Sequence, residues 1–149
     1  MHERTALLIH GQTADLAADV SFDIPTAEYE QIAAEKSGVL FALPVELAAL
    51  YAGRGSYLPA IEAAARALAV GYQIADDVSD FVADLAARDS GRLNYVSILS
   101  RQMGAGDALD SSRRRSLQLL DEAATLASRV PGGIGAPLSE LAGRLARKV

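Results

Sequence analysis

Apolar residues recur along most of this chain at steps of three and four, the period of a helix, and nowhere alternate at length as a half-buried strand would. Over residues 26–52, Tyr29, Ile32, Lys36, Leu40 and Leu43 follow one another at such steps, so a lysine lies inside the apolar stripe. Thr26 is placed to cap this helix, Glu28 suits its first turn, and Pro44 predicts a kink. Gly53, Arg54, Gly55 and Ser56 close it. A long helix is predicted over 58–87. Its first part, 60–70, is small and apolar nearly all round, the pattern of a helix buried among neighbours. A break at 88–92 is followed by 93–101, which fits a short helix without a clear period. Gly104, Ala105 and Gly106 read as a loop. Asp110 or Ser111 can cap a helix to about 128 with Leu117, Leu120, Ala124 and Ala127 as its inner stripe. Glycines and Pro131 mark a turn at 130–135. Pro137 opens a last short helix, whose Arg144, Arg147 and Lys148 complement its dipole. At the other end, residues 5–19 read as a helix, broken at 20–25 where Pro25 disfavours helix at Ile24.

Composition strengthens the all-α assignment, since alanine and leucine, both good helix formers, dominate a chain only 5% aromatic. A length of 149 residues suits one domain. The net charge of −5 gives no general electrostatic case for nucleic-acid binding. Without cysteine, neither disulfides nor thiolate metal sites can form, which fits a cytoplasmic protein. No apolar run reaches the roughly 18 residues of a membrane span, so the chain is not expected to be transmembrane. The brief apolar run from Ala6 to Ile9 is too short for a signal peptide.

One stretch departs from the apolar pattern. In Gly71-Tyr72-Gln73-Ile74-Ala75-Asp76-Asp77-Val78-Ser79-Asp80, three aspartates fall within five residues of a hydrophobic helix. Gln73, Asp76, Asp77, Asp80 and Asp84 stand at i, i+3, i+4, i+7 and i+11, one stripe of a helix. Carboxylates so crowded repel one another, and such a stripe either faces water or holds something cationic. As a binding stripe it suits Mg²⁺, a hard ion that takes oxygen ligands through one or two carboxylates plus substrate phosphates. Asp76 and Asp80, one turn apart, are spaced for that. Lys36 either lies along the apolar surface with its ammonium in water or makes a phosphate contact. Gln12 and Asp15 share a face but say nothing alone, and His2 and His10 have no ligand spacing.

The aspartate stretch resembles the second aspartate-rich motif of the trans-isoprenyl diphosphate synthases, the polyprenyl synthetase family, written G-x-x-x-Q-x-x-D-D-x-x-D. Gly11-Gln12-Thr13-Ala14-Asp15-Leu16 resembles that family's G-Q-x-x-D-L helix. The segment from Tyr29 through Ile32, Lys36 and Ser37 to Leu40 and Phe41 resembles its Y-x-x-I-x-x-x-K-T-x-x-L-F segment, with serine for threonine. The three motifs stand in the family's order and spacing. The resemblance implies part of the all-α isoprenoid synthase bundle and a prenyltransferase reaction: Mg²⁺-dependent head-to-tail condensation of an allylic diphosphate with isopentenyl diphosphate. It implies Asp76 as a direct Mg²⁺ ligand, Asp77 and Asp80 as support for the metal and its waters, Lys36 as the clamp on the allylic diphosphate, and Gln12 and Gln73 as further substrate contacts.

Against the family pattern, only one D-D-x-x-D is present, and the lysine-containing stretch downstream is represented only by Arg88, Asp89 and Arg92. Residues 1–149 are therefore expected to form a partial polyprenyl synthetase domain, the C-terminal half of the bundle, without the N-terminal helices and first aspartate-rich motif. By itself it carries half of a metal cradle. Three roles follow: half of a synthase completed by a second chain or a homo-oligomer, a non-catalytic regulatory subunit of a synthase, or an inactive truncated remnant. A half-bundle is also expected to expose apolar surface.

Overall fold

The computed structural model describes residues 24–87 and 93–149, with isolated positions Ala6, Ile9 and Thr13 before them; side chains at 82–87 lie outside the description. The described residues form α1 (Thr26–Tyr51), a 3₁₀ turn (Gly55–Tyr57), α2 (Leu58–Ala87), α3 (Tyr95–Met103), α4 (Ala105–Ser128), a second 3₁₀ turn (Pro131–Gly133) and α5 (Ala136–Ala146). No strand occurs among them. The all-α expectation holds, and no helix among the described residues is long and apolar enough to cross a membrane.

Several local expectations are corrected. Pro25, not Thr26, caps α1: its carbonyl accepts from the Glu28 and Tyr29 amides, and Thr26 is already helical. Proline's fixed φ suits that position without a side-chain cap. The helix then runs through Pro44 without interruption. At the other junction, Gly104 alone separates α3 from α4. At a φ of 84° it closes α3 by donating to the Ser100 carbonyl and starts α4 by accepting from the Ala108 amide. The expected loop thus shrinks to one glycine, whose missing Cβ makes that backbone accessible, and Asp110 and Ser111 lie inside the helix. The inner stripe of α4 also differs. It runs through Ala108, Ser112, Ser116, Leu119, Leu120, Ala123 and Ala127, while Leu117 is 40% exposed. Ser112 and Ser116 read as polar in a hydrophobicity pattern, yet both are fully buried. Their hydroxyls donate to the carbonyls of Ala108 and Gly71.

Helix α2 is the axis of the fold, packed against α1 on one side and α4 on the other, with α3 and α5 lying on α4. Ile61, Leu68 and Ile74 of α2 and Leu120 of α4 are fully buried. Small residues permit this closeness. A Cβ on Gly38 would lie 3.6 Å from the Arg66 Cα, so the α1 and α2 backbones meet there. A Cβ on Gly71 would lie 3.0 Å from Leu120 Cγ.

The close approach also decides which face of α1 is buried. Ala33, Ala34, Ser37, Gly38 and Ala42 turn inward beside Tyr29 and Ile32, whereas Leu40, expected in the inner stripe, is 58% exposed. Because the apolar residues of α1 are not gathered on one face, its pattern does not set its rotation; the fit of small residues against α2 does. Leu47, Leu50 and Tyr51 point outward with Leu40, and Tyr51 is 97% exposed.

Candidate functional site

The second half of α2 carries the aspartate stripe, and its rotation divides that stripe in two. Asp76 and Asp80 are exposed and Gln73 is half-buried. Partial burial holds the Asp76 carboxyl above the ordinary range; the nearby Asp80 charge adds to this and the Lys36 charge opposes it. Asp76 thus feels one neighbour of its own sign and one of the opposite sign, from the helix turn and from α1 respectively. Lys36 is half-buried on α1. Gln12, Asp15, Arg88, Asp89 and Arg92 lie outside the described residues, as does the Asp84 side chain.

Asp77 faces the packing instead. Its Oδ2 accepts from the Tyr29 hydroxyl at 2.6 Å and from the Tyr95 amide at 2.6 Å, while its own carbonyl accepts from Asn94 Nδ2 at 3.0 Å. Asn94 is the N-cap of α3, its Oδ1 accepting from the Val96 and Ser97 amides. Tyr95 stacks edge-on against Tyr29 with ring centroids 5.2 Å apart. The Tyr95 hydroxyl donates to Glu30, which also receives a two-pronged contact from Arg115 of α4 at 2.8 and 2.7 Å. Four helices are therefore tied together immediately behind the exposed aspartates.

Burial pushes the Asp77 carboxyl up to about 7, against the pull of its bonds from Tyr29 and Tyr95. An acid whose pKa rises on folding keeps its proton in the native state after the unfolded chain has lost it. Between 3.8 and about 7, native-state stability therefore falls as pH rises. Thermal unfolding in metal-free buffer is expected at a higher temperature near about pH 5 than near about pH 8. Asp77→Asn, which keeps an acceptor oxygen but cannot titrate, should shrink that difference; an unchanged difference would assign the proton to another group.

Beside Asp76 opens a cleft of about 460 Å³ between α2, α4 and the C-terminus, lined by Tyr72, Ala75, Asp76, Ser79, Arg113 and Lys148. It brings two cations to the Asp76 side of α2. Sequence reasoning missed Arg113, and it missed Tyr29, Asn94, Tyr95 and Arg115 as partners of the aspartate helix. One signal was available: an asparagine just ahead of a short apolar run is a capping pattern. The others are long-range pairings, 48 residues apart for Tyr29 and Asp77.

Among the described residues no group of three or more His, Cys, Asp or Glu side chains could hold a metal. What the structure offers is a pair of exposed carboxylates one helical turn apart, both hard oxygen donors. That pair is too small for an all-protein cage. It fits an ion such as Mg²⁺ that keeps several waters and shares its shell with phosphate oxygens.

The model of the polyprenyl synthetase family matches residues 1–91, more than half of the chain. The chain belongs to the polyprenyl synthetase family. This family member is 30% identical over 125 residues to farnesyl diphosphate synthase of Escherichia coli (strain K12), an alignment covering 75% of this chain and 42% of the relative. In fold it is similar to a decaprenyl diphosphate synthase from Rhodobacter capsulatus, with a TM-score of 0.80 at 18% identity over 99% of this chain and 58% of that one. A geranylgeranyl pyrophosphate synthetase from the archaeon Geoglobus acetivorans has a TM-score of 0.80 at 19% identity, covering 97% of this chain and 55% of that one. The chain thus spans less than two thirds of each of these relatives. The expected isoprenoid synthase architecture is the one found.

Proposed function

We propose that this polyprenyl synthetase chain supplies one wall of a prenyl diphosphate synthase site, which joins an allylic diphosphate head-to-tail to isopentenyl diphosphate with Mg²⁺ as cofactor. The observation that carries the reading is the exposed Asp76–Asp80 pair with the Lys36 charge acting on Asp76 from the neighbouring helix. Asp76 and Asp80 would hold Mg²⁺. Bound Mg²⁺ supplies charge stabilisation for a departing diphosphate. Lys36 anchors the diphosphate of the allylic substrate as a point charge, which favours the transition state in which negative charge accumulates there. Gln73, and Gln12 by its motif position, supply neutral hydrogen bonds to substrate. Asp77 keeps the carboxylates in place. The allylic carbon–oxygen bond breaks, the double bond of isopentenyl diphosphate adds to the carbocation, and loss of a proton completes the product.

The chain works with a second polypeptide or a second copy of itself, in the cytoplasm. The outward leucines of α1 favour a second reading, a non-catalytic partner subunit of a synthase. Incorporation of labelled isopentenyl diphosphate by the protein, with any polypeptide that co-purifies, separates the two. As the enzyme, Lys36→Gln is expected to raise the KM for the allylic diphosphate about tenfold or more, the loss of one charge-assisted contact. An unchanged KM and kcat would overturn the catalytic reading and leave the regulatory one.

A further inference from the structure

The bond network behind the aspartate stripe gives Asp77 a role different from that of its neighbours. In a D-D-x-x-D motif all three carboxylates are chemically alike, and spacing alone puts them on one side of the helix. The structure separates them by what each touches. Asp76 and Asp80 reach the surface, whereas the Asp77 Oδ2 is engaged by two donors from two other helices, Tyr29 of α1 and the first amide of α3.

A helix is a stiff rod whose successive side chains are rotated by about 100°. Fixing one side chain therefore fixes the direction of those one and three positions away. Asp77 is one residue from Asp76 and three from Asp80, so its tether sets the rotation of both. The tether is doubled, because Asn94 donates to the Asp77 carbonyl at 3.0 Å while its side-chain oxygen caps α3. It is also braced, since Tyr95 and Glu30 lock to Arg115 of α4. Tyr29 is 5% exposed and held edge-on by Tyr95, so its hydroxyl has little freedom to release Asp77.

We infer that Asp77 is a positioning residue: through Tyr29 and the start of α3 it aims Asp76 and Asp80 at the bound ion and does not itself ligate that ion. This rests on the Mg²⁺ reading of Asp76 and Asp80. It distinguishes two roles that substitution to alanine alone would confuse, because a ligand and a strut both fail when removed. Replacement by asparagine separates them. The amide side chain introduced by Asp77→Asn has the same shape and offers one oxygen to both donors, but it lacks the charge that a ligand supplies.

The test uses Mn²⁺ with inorganic pyrophosphate as probe and reads affinity from the Mn²⁺ electron paramagnetic resonance signal, with circular dichroism as the check on folding. Asp77→Asn should bind within about threefold of the unaltered chain, while Asp77→Ala weakens binding about tenfold or more, the usual size of an outer-shell loss. Tyr29→Phe should weaken it in the same direction, because it removes one of the two donors that hold Asp77. Equal losses in Asp77→Asn and Asp77→Ala with no change in Tyr29→Phe would make Asp77 a ligand and overturn the proposal, as would three variants that all bind normally. If Asp77→Ala does not fold, the other pair decides: weak Tyr29→Phe beside intact Asp77→Asn supports the strut, and the reverse overturns it. If the unaltered chain itself binds no Mn²⁺, the metal reading has failed and the positioning role falls with it.

Discussion

Asp76→Ala is expected to lower Mg²⁺-dependent prenyl transfer by about 10²–10³-fold, the scale seen when one preorganised electrostatic contact is removed from a transition state. Asp76 combines the features that argue for this. It is exposed, it shares a helix turn with Asp80, and it feels the charge of Lys36 from across the α1–α2 contact. It also lines the cleft shared with Arg113 and Lys148. The substitution should leave the fold intact. Burial and the Asp80 charge both disfavour ionised Asp76, so its removal relieves repulsion and should hold or raise the unfolding temperature at neutral pH. Loss of activity with retained or increased stability is the expected pair of results, checked by an isoprenyl incorporation assay and a thermal melt on the same preparation. A variant that loses stability along with activity would mean that Asp76 holds the fold together. A fully active variant would remove it from the site.

The largest structural effect is expected at Gly71, where the aspartate motif begins. A single added methyl already meets Leu120 Cγ at 3.0 Å, Leu120 Cδ2 at 3.1 Å and the Leu119 Cβ at 3.3 Å. The Gly71 carbonyl also accepts from Ser116, buried in α4, at 2.8 Å. Gly71→Ala gains helix propensity, about 1 kcal/mol, but must push Leu120 aside, so its net effect is small. Gly71→Val adds two further carbons into the same contact and should cost about 2–3 kcal/mol by overpacking. For a chain of this size that corresponds to a melting temperature lower by roughly 5–10 °C. Urea unfolding followed by circular dichroism measures it. A Gly71→Val protein as stable as the parent would show that α4 can withdraw from α2 without cost, and the close approach would lose its explanatory weight.

Both expectations touch what sequence could and could not convey. Element type was legible because the chain is apolar at helical steps almost throughout, and the expected start of α2 at 58 coincides with the structure. Helix rotation was not. In α1 the spacing put Leu40 on the inner stripe, but the apolar residues are not gathered on one face, and the shape of α2 brings Ala33 inside and leaves Leu40 out. In α4 the error came from Ser112 and Ser116, which look like surface residues until their carbonyl partners are known. The aspartate stripe was recognisable as a stripe because i+3 and i+4 spacing is local. Its division was not legible, because Tyr29 lies 48 residues from Asp77 and Arg115 lies 85 residues from Glu30. Gln12 and Asp15, read from the sequence as part of the same region, lie outside the described residues.

The outward leucines of α1 bear on what a stability measurement of this chain means. Leu40, Leu47 and Leu50 are each more than half exposed and Tyr51 almost wholly so. Apolar area of this kind is worth about 25 cal/mol for each Å² removed from water. Were a partner to cover this face, it would stabilise the native state by mass action, to an extent set by its concentration and affinity, with nothing comparable gained by the unfolded chain. Folding and association are then a single linked equilibrium. A melting temperature becomes a property of the mixture as well as of the sequence, and it has to be quoted with the protein concentration and with every companion in the tube.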